Sequence, residues 1–220
     1  MPNQINNRTS LAHVLQRGIL QLGLSVSAET QERLLDYLAL LVKWNKVYNL
    51  TAIREPGLMV SHHLLDSLAV IPHLRAGRWL DVGCGAGLPG IVLAICKPDW
   101  NITLLDSNSK KTGFVQQAII ELGLDNARVF CARVENFQDE TKFDGIISRA
   151  FTELGDFVHV THHLIVDDGC WVAMKGLPEK ELPGVPENCT VEQIISLKVP
   201  ELDAARCLVV VVPKGRLQHD

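Results

Sequence analysis

The 220-residue sequence predicts an α/β protein, a mostly parallel open sheet with its last strand antiparallel and a helical extension at the N-terminus. Three observations carry that expectation. From Trp79 onward, apolar runs of strand length alternate with stretches of helical periodicity, the pattern of strands laid parallel through crossover helices. Between the first of those strands and its helix lies a glycine-rich turn, in the run WLDVGCGAGLPGIVLAI. Before Trp79, apolar residues recur only at helical spacing.

The N-terminal region, residues 1–78, reads as three helices packed on the sheet. Leu11, Val14, Leu15, Ile19 and Leu22 mark the first, ending before Gly23. Leu34, Leu35, Leu38, Leu41 and Val42 mark the second, which starts near Ser27 and reaches Trp44. The third runs from Leu58 to Leu74, with an interruption near Pro72. Residues 79–220 form the sheet domain. Its strands are expected at Trp79–Val82, Ile102–Leu105, Ala127–Cys131, Gly145–Ser148 and Gly169–Met174. Helices follow at Pro89–Cys96, Ser109–Leu122 and from the end of strand four through Leu164. Thr190–Lys198 and Cys207–Val212 form a closing antiparallel pair, and 176–188 is a Pro-rich surface loop.

Hydrophobic residues make up 47% of the chain, enough for a sizeable core. No run approaches the roughly 18 apolar residues of a membrane span, and MPNQINNRTS lacks the apolar segment of a signal peptide, so a cytoplasmic location is expected. The six cysteines include no C-x-x-C pair, and His62-His63 and His162-His163 are adjacent pairs that do not share a helix face. Neither a disulfide framework nor a metal site is expected. The net charge of −4 argues against a nonspecific nucleic-acid coat, but its distribution is uneven. Residues 1–78 hold 8 basic against 5 acidic side chains, +3, and residues 79–220 hold 13 against 20, −7. An RNA partner would meet the N-terminal part first.

The glycine turn reads as a nucleotide-cofactor loop. Gly83, Gly85 and Gly87 allow positive φ and close approach of backbone to a ligand. Pro89 suits the first turn of the next helix, whose N-terminal N–H groups could hold an anionic group. The segment Gly85-Ala86-Gly87-Leu88-Pro89-Gly90 also satisfies G-x-G-x-x-G, a weak signal for a dinucleotide. Asp81, at the strand tip two residues before the first glycine, would repel a pyrophosphate and suits a ligand with a nearby cation. S-adenosylmethionine, with an ammonium and a sulfonium, is such a ligand.

Ligands of open α/β sheets lie beyond the carboxyl ends of the strands, and five successive strands end in polar or charged groups. After Asp81 comes Asp106, placed to accept from both ribose hydroxyls of an adenosine or to cap the helix near Ser109. Past strand three, Glu135 could accept from an adenine amine while Val134 packs on the base. Arg149 could face cofactor or RNA, or pair with Asp144 or Glu153. Lys175 closes an apolar strand where a phosphate could meet it. Lys110-Lys111 opens a helix, where cations oppose the macrodipole; a local anion or ordinary surface charge accounts for them. Trp44 and Tyr48, at i and i+4, read as core packing rather than base stacking.

The blocks WNKVYNLT at residues 44–51, His63 with Leu65-Asp66-Ser67, LDVGCGAGLPGIVL, LLDSNSKK, ARVENF, FDGIISRAF, AMKG and VPELDAARCLVVV, in that order, resemble the bacterial small-subunit rRNA methyltransferase G family, also called glucose-inhibited division protein B. The glycine turn with its preceding acid is similar to motif I of the class I methyltransferases, whose Rossmann-like sheet the resemblance implies. It further implies S-adenosylmethionine as cofactor, 16S rRNA or the 30S subunit as partner, and 7-methylation of guanine 527. Cofactor positions would be Gly83 and Leu88 in the loop, with Val134, Glu135 and Arg149. Asp81, Gly85, Gly87 and Asp106 complete the cofactor set read from the residues, and Asn49, His62, His63, Lys110, Lys111 and Lys175 are the RNA-facing candidates. The family usually has arginine where this chain has His62, whose charge is partial and pH-dependent.

The chemistry supports N7. Its lone pair is exposed, so methylation needs orientation and no general base. The run Ser148-Arg149-Ala150-Phe151 differs from the Asn/Asp-Pro-Pro-aromatic motif of amine-directed enzymes, and no Pro-Cys nucleophile is present. No acid or base is assigned; Arg149 and Lys175 are candidate substrate-positioning residues. The alternatives are a class I methyltransferase acting on a small molecule or protein, or a noncatalytic sensor of a nucleotide cofactor.

Overall fold

The computed structural model describes residues 2–215. Two long helices come first, α1 (Pro2–Gln21) and α2 (Ala28–Tyr48). Ser27 opens α2 by accepting the Thr30 N–H on its Oγ at 3.1 Å, which satisfies one donor the first turn leaves unpaired. Asn49 ends it in the left-handed region at φ 50°, which a short amide side chain tolerates. The third helical stretch is less regular than its periodicity implies. Helix α3 (Pro56–Met59) passes into a π-helical turn at Val60–Leu65 and finishes as α4 (Asp66–Leu68). Such turns are rare and concentrate at functional positions, and this one carries His62 and His63. A 3-10 turn at Ile71–His73 contains Pro72.

The sheet portion runs β1 (Arg78–Val82), α5 (Gly90–Cys96), β2 (Asn101–Asp106), α6 (Ser109–Glu121), β3 (Ala127–Cys131), β4 (Phe143–Arg149), α7 (Leu154–Thr161), β5 (Ile165–Lys175), β6 (Cys189–Leu197) and β7 (Arg206–Pro213). Among the described residues these strands form one seven-stranded sheet, ordered β3-β2-β1-β4-β5-β7-β6. The first five are parallel, and β7 lies antiparallel between β5 and β6. Strand order reverses between β1 and β4, and the crevice outside such a switch point is where open sheets bind ligands.

Several boundaries differ from the sequence reading: α2 runs on past Trp44 to Tyr48, and β4 and β7 are longer at both ends. Helix α5 begins at Gly90, with Pro89 as its cap residue. Helix α7 stops at Thr161, and a 3-10 turn at His162–Leu164 follows. Strand β5 begins at Ile165, earlier than Gly169, and a register shift between Phe143 and Gly145 absorbs the extra residues.

Neighbours in a strand face opposite ways. Trp79 joins a core with Leu15, Leu34 and Leu41 of the N-terminal helices and Ile91 and Phe114 of α5 and α6. Leu80 joins the core on the other face with Phe143, Phe157 and Trp171. The N-terminal helices therefore share a hydrophobic core with one face of the sheet.

Candidate functional site

The carboxyl ends of β1, β2 and β4 and the turn after β3 bound a cavity of about 280 Å³ at the switch point. Gly83, Asp106, Ser107, Lys111, Val134, Glu135, Ala150 and Phe151 are among its lining residues. Gly83 leaves β1 at φ 67° and donates its N–H to the Leu105 carbonyl at 2.8 Å. A Cβ there would stand 2.5 Å from the Phe151 ring, so both backbone shape and space require glycine. Gly85 and Gly87 also have positive φ. Gly87 and Leu88 turn their N–H groups back to the Cys84 carbonyl, and Leu88 is buried. These two shape the loop without lining the cavity.

Asp106 fixes the loop from β2. Its Oδ2 accepts the Gly85 N–H at 2.9 Å and its Oδ1 the Asn108 N–H at 2.8 Å. The cap of α6 is Asn108, whose Oδ1 accepts from the N–H groups of Lys110 and Lys111. Lys110 is exposed, and Lys111 reaches the cavity wall. Val134 is buried and Glu135 exposed within the 3-10 turn at Val134–Asn136.

Asp81 lies fully buried beneath the loop. Its Oδ2 accepts the Gly90 N–H at 2.8 Å, and its Oδ1 has no hydrogen-bond partner. The Gly90 N–H of α5 thus serves an internal carboxylate rather than an external anion. Burial raises the Asp81 carboxyl to about 7, against the Gly90 N–H and Arg149, which favour its charged form. A second support comes from Tyr37 of α2, which the sequence reading missed. Its buried hydroxyl donates to the Ala86 carbonyl at 2.6 Å, and burial pushes its pKa up.

Arg149 pairs with neither Asp144 nor Glu153. Its Nη1 donates to the His62 carbonyl at 3.0 Å and to Asp66 Oδ2 at 3.2 Å. Asp66 is buried and also accepts from Arg206 Nε at 3.2 Å. Two guanidiniums therefore share one carboxylate, leaving a surplus positive charge where β4, β7 and the π turn meet. Asp66 belongs to the block quoted above and Arg206 to the tail block, but no local spacing joins them. Lys175 turns inward: its Nζ donates to the Thr152 carbonyl at 2.7 Å and to Glu181 at 2.6 Å. Glu181 also accepts the Leu154 N–H, so Lys175 ties the 176–188 loop to the start of α7 rather than facing a phosphate.

His63 is buried, with Nε2 at 2.9 Å from Thr51 Oγ1 and Nδ1 without a partner. Burial first, then the Arg149 charge, lower it to about 4, so the ring is neutral and faces protein. His62 is half-buried, its Nδ1 close to the Leu58 carbonyl and Ser61 Oγ. Asn49 is exposed and accepts from Arg54 at 3.3 Å. Trp44 is half-buried and packs against the core as expected, but Tyr48 beside it is 41% exposed, which corrects the expectation of core packing for Tyr48.

These residues fit S-adenosylmethionine. The carboxylate ending β2 and the Val134-Glu135 turn suit its adenosine, and the orphaned Asp81 Oδ1 beneath the glycine loop suits the field of its cationic end. The fold agrees. The N-methyltransferase NodS of Bradyrhizobium japonicum, solved with S-adenosyl-L-homocysteine, superposes with a TM-score of 0.57 at 11% identity, over 79% of this chain and 99% of that one. MtNAS in complex with S-adenosylmethionine gives 0.56 at 16% identity, over 85% and 80%. At these identities the likeness is one of fold, the mostly parallel open sheet of the class I methyltransferases. The model of the rRNA small subunit methyltransferase G family matches residues 30–209. Ribosomal RNA small subunit methyltransferase G of Laribacter hongkongensis is 54% identical over 91% of this chain and 97% of its own length. That of Methylobacillus flagellatus is 56% identical over 89% and 95%. The chain belongs to this rRNA methyltransferase family.

Proposed function

We propose that the protein methylates N7 of guanine 527 in 16S rRNA by direct in-line transfer without a general base. The observation that carries this reading is that the charged groups ending β2, β4 and β5 are all engaged by the protein itself. Asp106 is held by two N–H donors, Arg149 by a carboxylate and a carbonyl, and Lys175 by Thr152 and Glu181. None of the three is a free proton acceptor, and a guanine N7 requires none. When bound, S-adenosylmethionine supplies an electrophilic sulfonium methyl. The residues of this chain bind, orient and exclude water, a set of tasks worth many powers of ten in rate when geometry is held. Gly83, Gly85 and Asp106 would hold the adenosine, with Val134 on the base and Glu135 at its amine, and Asp81 beneath the loop would balance the cofactor's positive charge.

The region 1–78 is the proposed RNA-facing part, given its charge balance, with Asn49, His62, Lys110 and Lys111 at the rim. His63, Arg149 and Lys175 act in this reading as positioning residues that hold the rim in place. The partner is 16S rRNA or an assembling 30S subunit, which places the enzyme in the cytoplasm; among the described residues no helix is long and apolar enough to cross a membrane. Primer-extension mapping of 16S rRNA after borohydride reduction and aniline cleavage, which break the chain at 7-methylguanosine, with RNA from cells with and without the protein, tests the assignment. A stop at guanine 527 that depends on the protein is expected. A protein-dependent stop elsewhere, or label from the cofactor appearing only in protein, overturns it.

A further inference from the structure

Tyr48 lies in the last turn of α2 with its ring against Trp44, centroids 5.3 Å apart and planes 29° apart. Trp44 is backed in turn by Phe114 of α6 at 5.8 Å. A ring supported in this way is a flat, half-open aromatic surface, already held in place, with little side-chain freedom left to lose when a second ring stacks on it. The charged residues flanking it in the chain and on α6 are mostly cations. Lys46 is two residues before it, Arg54 is held by the adjoining Asn49, and Lys110 and Lys111 lie one turn before Phe114 on α6. None of these four cations forms an ion pair among the described residues, whereas Arg75, Arg78, Arg128, Arg149, Lys175 and Arg206 are each paired with a carboxylate. Glu55 is the one acid in the stretch from Lys46 to Arg54 and its neighbour.

The ring is also joined to the cavity from two sides. Lys111 lines the cavity on the helix that carries Phe114. Thr51, three residues after Tyr48, meets His63, and the carbonyl of the next residue back, His62, holds Arg149. An aromatic face set among unpaired cations is the pairing of features that captures single-stranded nucleic acid, where bases stack and phosphates meet the charges.

We propose that Tyr48 is a stacking platform for an unpaired nucleobase of the RNA, a neighbour of the methylated one, with Lys46, Arg54 and Lys110 meeting the flanking phosphates. The assignment rests on the RNA-methylation reading above. It is tested by steady-state transfer of labelled methyl from S-adenosylmethionine into small ribosomal subunits that lack the modification, counting total label in RNA. Tyr48→Leu and Tyr48→Ser raise the KM for subunits by about tenfold while kcat stays within about twofold. Tyr48→Phe and Tyr48→Trp, which keep a ring, retain the wild-type KM. Cofactor affinity and thermal midpoint are unchanged in all four. A KM within about twofold of wild type in both ringless variants, an equal loss in Tyr48→Phe, or a rise in KM matched by a fall in thermal midpoint overturns the proposal. Because total label is counted, wild-type methylation at another nucleotide would overturn the guanine-527 assignment while leaving the Tyr48 comparison intact; wild-type failure to label RNA at all would overturn both.

Discussion

Asp81 and His63 are both buried, each has a polar atom without a partner, and they titrate in opposite senses across the same pH range. The Asp81 carboxyl is raised from 3.8 to about 7, so between those values the folded state holds a proton that the unfolded chain has lost. Its contribution to stability is full at low pH and declines as pH rises toward about 7. His63 is lowered from 6.5 to about 4, so the unfolded chain takes up its proton first and stability declines as pH falls through that window. The two slopes offset each other in the wild type, and single variants uncover them. Thermal midpoints of Asp81→Asn should fall more steeply than wild type on acidification from about pH 7 to 5, and those of His63→Gln should fall less or rise. Parallel profiles in all three proteins would show that these groups are not coupled to folding. Cofactor binding reports on Asp81 separately. A cationic ligand favours the ionised carboxylate, so S-adenosylmethionine affinity, read by calorimetry, should weaken by up to about tenfold per pH unit below about 7 in the wild type, and not in Asp81→Asn.

At the scale of elements, the loop after β1 is held from three directions: by Asp106 of β2, by Asp81 beneath it and by Tyr37 of α2. Tyr37→Phe removes one hydroxyl and leaves the buried Ala86 carbonyl without its donor, a change that costs about 1–3 kcal/mol. Urea unfolding should show that loss, and cofactor affinity should fall with it because the loop is the element released. The union of π turn, β4 and β7 depends in the same way on Asp66. Asp66→Asn leaves Arg149 and Arg206 facing each other without a carboxylate and should lower stability by about 2 kcal/mol, discounted from a fully buried pair because both arginines are partly exposed. An unchanged urea midpoint would show that the cluster is screened by solvent. What the sequence showed and what it hid follows from the range of each interaction. Ser27 as a cap, the glycine turn and Asp106 at a strand tip are local patterns, legible within a few residues. The Asp66–Arg206 pair spans 140 positions, and the inward turn of Lys175 depends on Glu181 in a loop without periodicity. No spacing rule reaches either. The π turn was hidden for a different reason: its apolar residues still repeat at nearly helical intervals, and one extra residue in a turn leaves that pattern almost unchanged.

For the whole molecule, the question is how a chain of net charge −4 associates with a polyanion. The halves differ in sign, +3 for residues 1–78 and −7 beyond, so the approach of RNA is favoured on one side and opposed on the other. Part of the positive charge is also held internally, because Arg75, Arg78, Arg149, Lys175 and Arg206 are bound to carboxylates and do not add freely to an external field. Among the cations that form no ion pair in the described residues, Lys46, Arg54, Lys110 and Lys111 lie at the end of α2, in the turn that follows it and at the start of α6, the two helices joined by the Trp44–Phe114 contact. A footprint of that size meets few phosphates, and affinity should therefore respond weakly to salt. Each phosphate contact to a single strand contributes about 0.7 to the slope of log K against log salt. Lys46→Glu and Lys110→Glu should each weaken binding to small-subunit RNA and reduce that slope by about one contact's worth, with cofactor affinity unchanged. Lys142→Glu and Lys214→Glu, outside this surface, should leave the slope as it is. A slope insensitive to Lys46 and Lys110 but lowered at Lys142 or Lys214 would move the RNA face away from the end of α2 and the start of α6.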